Sequence, residues 1–317
     1  MSYSYSPDLK PQQKIPEIDP GKPAMAGMLK ILNLTAQKNA ESFVPPAGVI
    51  ISKKSIPTSD GDEISCFVLE KDNSDDEAPC ILMIHGGAFY MTVQTPALGV
   101  AGEYVRRTGA KVFLPDYRLT PRFRAPVQLN DCLDVWNHIY DNSSDYCIDS
   151  DRIVLCGDSA GAALAAGLVL RLSDSGRPGP AGLMLIYPVL DDRIERYDSY
   201  KQYAGTGWTE NVVNAMWKAY LPESETDDLL YLVPMRFSSV GNFPATYIEP
   251  QEIDVFRDEA IAFAEKLNEE GVECEVNLIK GSYHAFDNDW AIPFVQRVLD
   301  HRSEMLGKFF EKSYKRN

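Results

Sequence analysis

The most constraining feature of this sequence is an alternation of short β-prone segments and longer helical segments that begins near residue 48. The longer segments repeat apolar residues at three- or four-residue spacing, which is the period of a helix with one buried face. This alternation is typical of α/β proteins, in which helices connect strands of one sheet. The strand candidates are GVIISKKSI, ISCFVLE, CILMIH, KVFLPD, RIVLCG, LMLIYP, ATYIE and CEVNLI.

The connections between these strands predict the topology of the sheet. The turn TSDGDE between the first two strands is too short for a helix and predicts a hairpin. The later connections predict right-handed crossovers and therefore a mostly parallel eight-stranded sheet flanked by helices, with ligand sites at the carboxyl ends of its strands. The predicted helices are LGVAGEYVRRTG, PVQLNDCLDVWNHIYDN, AGAALAAGLVLRLSD, VFRDEAIAFAEKLNEEG and a final segment from about Ala291 to Lys312.

Two segments do not belong to the alternation, residues 1–46 and 190–235. Each contains one helical candidate, AMAGMLKILNLTAQKN and WTENVVNAMWKAYL, whose apolar stripe has no neighbouring strand to cover it. We expect a single domain, 1–317, in which these two segments pack on each other as a helical cap over a core of 47–189 and 236–317. The alternative, in which the stripes form the contact of a homodimer, stays open.

Composition excludes several classes of protein. The formal net charge is −15 with a pI near 4.7, and no basic run is present, so nucleic acid is not an expected partner. The first residues lack the order of a secretory signal, and no apolar run has the length of a membrane span, which predicts a cytoplasmic protein. The 6 cysteines form no C-x-x-C pair and the histidines and aspartates do not cluster, so neither disulfides nor a metal site is expected.

One serine, Ser159, stands where the strand RIVLCG meets the helix AGAALAAG. Its motif, Gly157 to Gly161, matches G-x-S-x-G, although a serine at this junction is also a common helix N-cap. The two glycines permit close packing of strand and helix around a strained turn, which would lift the hydroxyl above the sheet. The pattern predicts a nucleophile, with the N–H of Ala160 at the helix N-terminus as a donor to a developing oxyanion.

A serine nucleophile needs a base, and the chain has 4 histidines. His138 and His301 lie within predicted helices, and His85 ends a strand before two glycines, where a structural role is expected. His284 follows the last strand at the carboxyl edge of the sheet. We therefore predict His284 as the base.

The third member of such a site is an acid between the serine and the histidine in chain order. Glu249 belongs to a predicted strand, and Asp258 and Glu259 belong to the following helix. Asp254 lies in the loop between them, where it can also serve as an N-cap. We predict Asp254 as the acid, with Glu252 as the second choice.

The remaining half of an oxyanion hole is expected after the third strand, because that strand ends beside the serine turn. The sequence there is HGGAFY, and the predicted donors are the N–H groups of Gly87 and Ala88, with Gly86 shaping the turn. Bulky aromatic residues of the two cap segments are expected to close the substrate pocket. The pocket candidates are Phe89, Tyr90, Asp158, Trp208 and Trp217.

With these residues in place, the chain resembles the hormone-sensitive-lipase-like, bacterial family IV type carboxylesterases of the α/β-hydrolase superfamily over roughly residues 50–312. The stretches that carry the resemblance are HGGAF at 85–89, DYRLTPRFRAPVQLNDC at 116–132, GDSAG at 157–161, DVFRDE at 254–259 and YHAF at 283–286. The family usually has a third glycine where this chain has Ala88. The backbone N–H of Ala88 is still available as a donor, but the methyl group of its side chain narrows the space beside it.

The resemblance implies an acyl-enzyme mechanism with Ser159 as nucleophile, His284 as base and then acid, and Asp254 as the residue that orients the base. It also implies a helical cap and no cofactor. The expected activity is hydrolysis of a small-molecule ester with a short acyl chain. An amidase of the arylformamidase type would use the same residues, and a ligand receptor on the same fold, which has lost the base, is disfavoured by His284.

Overall fold

An eight-stranded sheet lies at the centre of the fold in the computed structural model, which describes residues 4–10, 19–72, 77–204, 207–224 and 229–311. The strand order in this sheet is β1-β2-β4-β3-β5-β6-β7-β9. A separate sheet of 2 strands pairs β8 with β10. The strands are β1 (Val49–Pro57), β2 (Glu63–Lys71), β3 (Ala78–Ile84), β4 (Lys111–Asp116), β5 (Ile148–Asp158), β6 (Gly182–Ile186), β7 (Thr246–Glu249), β8 (Gln251–Ile253), β9 (Cys274–Val276) and β10 (Ile279–Tyr283).

The predicted α/β class and the mostly parallel eight-stranded sheet are confirmed. Strands β1 and β2 form the predicted hairpin, β2 pairs antiparallel with β4, and every other neighbouring pair in the large sheet is parallel. The order in the sheet differs from the order in the chain, because β3 lies between β4 and β5. Nearly every residue of β3 is buried, as expected for an apolar strand covered on both faces.

Helices cover both faces of the large sheet. The apolar residues of α2 and α9 form one hydrophobic cluster with one face, and those of α3, α4 and α8 form a second cluster with the other. None of the helices in these described ranges is long and apolar enough to cross a membrane. The helices are α1 (Pro23–Glu41), α2 (Thr95–Thr108), α3 (Val127–Asp141), α4 (Ala160–Asp174), α5 (Asp198–Gln202), α6 (Glu210–Tyr220), α7 (Leu229–Leu232), α8 (Arg257–Glu269) and α9 (Pro293–Glu311).

The two segments outside the alternation contain helices α1 and α6, as the sequence predicted. Leu29 of α1 and Trp217 of α6 are both buried in the cluster that covers the α3, α4 and α8 face. The outer face of α1 is exposed and includes Met28, Ile31, Leu32 and Leu34. The division into cap and core, and the alternative of a homodimer contact through the apolar stripes of the two segments, stay predictions; parts of 1–46 and 190–235 lie outside the described residues.

The small sheet was not predicted from the sequence. Strand β8 has 3 residues and β10 has 5, which is too short for a periodic pattern to be recognised. The two strands run parallel, with Ile253 opposite Tyr283. The residues that follow them, Asp254 and His284, therefore leave the same end of this sheet side by side.

Helix α4 packs so closely against strand β5 and against the end of β3 that two glycine positions have no room for a side chain. A Cβ atom on Gly161 would lie 2.0 Å from the carbonyl oxygen of Ile84, and one on Gly157 would lie 2.5 Å from the carbonyl oxygen of Gly161. Because backbone atoms form both contacts, a rotamer change cannot relieve them. These contacts confirm the close packing of strand and helix predicted from the G-x-S-x-G motif.

We predict that Gly161→Ala lowers the free energy of unfolding by about 1–3 kcal/mol, since overpacking against backbone forces β3 and α4 apart. The matched control is Gly307→Ala in α9, where an added Cβ meets nothing within 4 Å. That variant should raise stability by up to about 1 kcal/mol, because alanine favours a helix interior. Urea unfolding at constant pH measures both changes, and equal stabilities of the two variants would contradict the steric argument.

Candidate active site

The structure brings the three predicted residues Ser159, His284 and Asp254 into one hydrogen-bonded chain. Ser159 Oγ lies 2.8 Å from His284 Nε2, and His284 Nδ1 lies 2.8 Å from Asp254 Oδ2. All three residues are buried. When Nδ1 donates its proton to the Asp254 carboxylate, Nε2 is left as the acceptor for the Ser159 hydroxyl. This geometry fits a Ser-His-Asp triad.

The backbone of Ser159 has the strained conformation expected of a sharp strand-to-helix turn. Its φ is 52° and its ψ is −122°, which is uncommon for a residue with a Cβ atom. The Ser159 N–H donates to the carbonyl of Ile186 at 2.9 Å, and the N–H of Val189 donates to the Ser159 carbonyl at 3.1 Å. The Ser159 hydroxyl makes no N-cap hydrogen bond, so the capping alternative does not describe its role.

The two carboxylate candidates for the acid have separate partners. Asp254 Oδ1 accepts from the N–H of Phe256 at 3.2 Å, while Oδ2 faces His284. Glu252 Oε2 instead accepts from the N–H of Gly281 at 2.7 Å and so joins β8 to β10. The geometry therefore favours Asp254 over Glu252.

The other three histidines have partners other than the Ser159 hydroxyl. His85 is buried, and its ring stacks on Tyr117 with 4.3 Å between ring centroids. His138 Nε2 lies 2.9 Å from the hydroxyl of Tyr146, and His301 lies on α9, 3.5 Å from Glu275.

The segment after β3 contacts Ser159 as expected for an oxyanion loop. A Cβ on Gly86 would lie 2.9 Å from Ser159 Cβ, and the Gly86 N–H donates to Asp158 Oδ2 at 3.0 Å. This bond occupies the Gly86 donor, in agreement with a role in shaping the turn. Among the residues that the structure describes, the N–H groups of Gly87, Ala88 and Ala160 have no hydrogen-bond acceptor. These groups match the donors predicted for a developing oxyanion.

A cavity of about 540 Å³ opens beside the Ser159 hydroxyl. Its wall near the serine includes Asp158 and Trp208, two of the predicted pocket residues. The Trp208 ring lies 5.4 Å from the His284 ring, measured between centroids. Tyr187 also lines this cavity.

The other three predicted pocket residues, Phe89, Tyr90 and Trp217, do not line this cavity. They are buried in the core, with at most 3% of their surface exposed. The Phe89 ring stacks on Tyr220 of α6 at 3.7 Å and lies 5.8 Å from the ring of Trp217. The sequence showed their aromatic character but not that they pack against each other.

A buried ion-pair network was not predicted from the sequence. The Arg302 guanidinium on α9 binds both oxygens of Glu249 at 2.9 and 2.6 Å, and Asp287 at 2.7 Å. The Tyr187 hydroxyl donates to the second oxygen of Asp287 at 2.7 Å, and the Tyr187 ring packs on His284. Arg302 thus ties the end of β7 to the segment after His284. Nothing in the helical sequence around Arg302 indicates that this residue is buried or that it pairs with Glu249 and Asp287.

The carboxyl group of Asp158 has a raised pKa. Burial raises its pKa to about 7, and the negative charge of Asp287 acts in the same direction. The Gly86 N–H opposes this shift because it stabilises the charged carboxylate. Near neutral pH this carboxyl is therefore close to half protonated.

Comparison with known proteins agrees with the geometry. Residues 81–288 match a family described as alpha/beta hydrolase fold. The chain is 29% identical over 269 residues to Lipase 2 of Moraxella sp. strain TA144, covering 74% of this chain and 62% of that lipase. It is 28% identical over 244 residues to the ethyl acetate hydrolase of Pseudomonas putida, covering 74% of this chain and 75% of that enzyme.

Among solved structures, a bacterial heroin esterase superposes with a TM-score of 0.84 at 27% identity, covering 97% of this chain and 98% of the esterase. The chain belongs to the α/β-hydrolase fold family. Its relatives support the class of carboxylic ester hydrolases, and the resemblance to hormone-sensitive-lipase-like esterases is confirmed.

The raised pKa of Asp158 predicts that stability falls as the pH rises from about 4 to about 7. Over this range the folded protein retains a proton that the unfolded chain has lost, so rising pH favours unfolding. Asp158→Asn removes the titratable carboxyl group, and the new amide oxygen can still accept a hydrogen bond from the Gly86 N–H. Urea unfolding should show the wild type losing stability relative to Asp158→Asn between pH 4 and 8. A pH-independent difference would contradict the shift.

Proposed function

We propose that this protein hydrolyses small carboxylic esters with short acyl chains through an acyl-enzyme intermediate on Ser159. The observation that carries the proposal is the row of hydrogen bonds from Ser159 through His284 to Asp254, beside backbone donors that have no acceptor among the described residues. The contact between Ser159 and His284 also favours an enzyme over a ligand receptor on the same fold, since a receptor needs no base.

In the first half of the reaction, Ser159 Oγ attacks the ester carbonyl carbon while His284 Nε2 takes the hydroxyl proton. The negative charge that forms on the carbonyl oxygen is stabilised by the N–H groups of Gly87, Ala88 and Ala160. The Asp254 carboxylate stabilises the imidazolium. His284 then gives its proton to the leaving alcohol oxygen as the ester C–O bond breaks.

In the second half, a water molecule takes the place of the alcohol. His284 removes a proton from the water, the hydroxide attacks the acyl carbon, and the proton returns to Ser159 Oγ as the acid departs. Every proton and charge is handled by groups of the chain, so the proposed mechanism uses no cofactor.

The preference for short acyl chains rests on the size and closure of the cavity. A volume of about 540 Å³ must hold both the acyl and the alcohol part of the ester. The indole of Trp208 narrows the space beside His284. The relative from Pseudomonas putida is named for hydrolysis of ethyl acetate, which is a short ester.

We predict that p-nitrophenyl acetate and butyrate are hydrolysed faster than the corresponding long-chain esters. Ser159→Ala and His284→Ala should each reduce kcat/KM by at least about a thousandfold, because each removes a group that acts on the reacting atoms. Release of p-nitrophenol measures both effects.

Circular dichroism of both variants controls for misfolding. Faster turnover of the long-chain esters would contradict the proposed substrate class. Activity on p-nitroanilides but on none of the esters would favour an amidase. Retention of ester hydrolysis by a folded Ser159→Ala variant would rule out the proposed mechanism.

We predict that Asp254→Asn lowers kcat by roughly 10³- to 10⁴-fold, because an amide neither orients the His284 tautomer nor stabilises its cation. The matched control is Glu252→Gln, whose amide oxygen can still accept from Gly281. It should change kcat by less than about threefold, well below the effect of losing a group that acts on the base. Steady-state kinetics on p-nitrophenyl butyrate compares them, and a larger loss in Glu252→Gln would reverse the assignment.

A further inference from the structure

The segment that would carry the oxyanion donors is held in an unfavourable backbone conformation. Gly87, Ala88 and Phe89 have φ values of 112°, 56° and 63° in succession. Two of these residues have a Cβ atom, and such a conformation costs on the order of 1–3 kcal/mol for each. The segment keeps this shape only if other parts of the fold hold it.

The core holds the first half of this segment. Asp158 accepts from the N–H of Gly86 at 3.0 Å. The N–H of Thr120 donates to the carbonyl of Phe89 at 2.9 Å, and the Thr120 hydroxyl donates to the same oxygen at 3.3 Å. These partners are anchored in the large sheet and the loop after β4.

The second half of the segment, where the Thr92 hydroxyl and the Val93 N–H also donate to Asp116, is contacted by one side chain of helix α1. Asn33 Nδ2 donates to the carbonyl of Tyr90 at 2.8 Å, and the N–H of Thr92 donates to Asn33 Oδ1 at 3.1 Å. The nitrogen and the oxygen of the Asn33 amide therefore both bond to one short stretch of backbone. Tyr90 and Thr92 lie 57 and 59 residues further along the chain. The two bonds fix the distance and the orientation of α1 relative to this stretch.

This contact reaches the predicted donors through a closed turn. The N–H groups of Tyr90 and Met91 both donate to the carbonyl of Gly87, at 3.0 and 2.9 Å. A shift of Tyr90 is therefore transmitted to the peptide that carries the Ala88 N–H. Asn33 does not touch the substrate cavity itself.

The requirements of the helix do not explain Asn33. Asparagine is a poor helix former, and Asn33 lies in the interior of α1, beside the buried Leu29, Ala36 and Ala40. Placing a polar amide on the inner face of a helix costs free energy unless hydrogen bonds compensate for lost water. The two bonds to the loop supply that compensation.

We infer that Asn33 of helix α1 is a positioning residue, which holds the N–H groups of the predicted oxyanion hole in the orientation that catalysis needs. The inference rests on the proposed ester hydrolysis. The N–H groups of Gly87 and Ala88 stabilise charge only at the correct distance and angle from the oxygen, and this charge develops in the transition state. Loss of the Asn33 bonds therefore weakens transition-state binding and leaves ground-state binding of the ester nearly unchanged.

The test compares Asn33→Ala with Asn39→Ala, the same substitution at an exposed position of the same helix. We expect Asn33→Ala to lower kcat on p-nitrophenyl butyrate about tenfold to a hundredfold with KM within about threefold, since loss of a complete oxyanion donor costs roughly 10²- to 10³-fold. Asn39→Ala should behave as the wild type.

A second readout separates positioning from a general loss of structure. When Ser159 Oγ adds to the carbonyl carbon of a short alkyl trifluoromethyl ketone, His284 takes the serine proton and the ketone oxygen becomes an oxyanion in the hole. Its inhibition constant should rise in Asn33→Ala by the same factor as kcat falls. The inference is overturned if kcat and inhibitor affinity match the wild type, or if kcat falls while inhibitor affinity does not.

Asn33→Asp keeps the inference testable if the alanine variant does not fold. Its carboxylate accepts from Thr92 but repels the carbonyl of Tyr90, whereas the protonated acid can both donate and accept, as asparagine does. With circular dichroism showing a folded variant, its kcat relative to the wild type should rise as the pH falls toward 5. A pH-independent ratio overturns the inference, and absence of ester hydrolysis in the wild type itself would instead refute the proposed function.

Discussion

Helix α4 packs so closely against the end of strand β3 that a Cβ atom on Gly161 would lie 2.0 Å from the carbonyl oxygen of Ile84. This contact sets the position of the other parts of the site. It brings the loop after β3 against Ser159, so that the predicted oxyanion donors and the predicted nucleophile share one edge of the sheet. It also forces the sharp turn at Ser159, whose strained φ of 52° keeps the hydroxyl away from its own helix and directed at His284.

The acid and the base depend on a different constraint, the parallel pairing of β8 and β10 outside the main sheet. Asp254 and His284 each follow one of these strands, so their side chains emerge together although they are 30 residues apart in the chain. The buried Arg302 strengthens this arrangement by pairing with Glu249 before β8 and Asp287 after β10. A charge buried to this degree is tolerated only because both carboxylates are hydrogen-bonded to it.

The loop after β3, which carries the predicted oxyanion donors, contacts both the core and helix α1. Its strained residues are held by the core through Asp158 and Thr120 and by helix α1 through Asn33. Helix α1, which the sequence showed only as an apolar stripe without a neighbouring strand, thus contacts the backbone of this loop at Tyr90 and Thr92. The outward-facing part of the same stripe, with Ile31 and Leu34, remains exposed.

The sequence by itself determined the α/β class, the hairpin and the G-x-S-x-G turn, and it was enough to propose Ser159, Asp254 and His284 as the catalytic residues, because each of these depends on local periodicity, on glycine spacing or on the ends of strands. Only the tertiary structure decided the place of β3 in the sheet, the small second sheet, the packing of Phe89 on α6, and the contacts of Arg302 and Asn33. Those features are made between segments far apart in the chain. A side chain's residue type shows that it can form an ion pair or a hydrogen bond, but the partner is set by the packing of the whole chain.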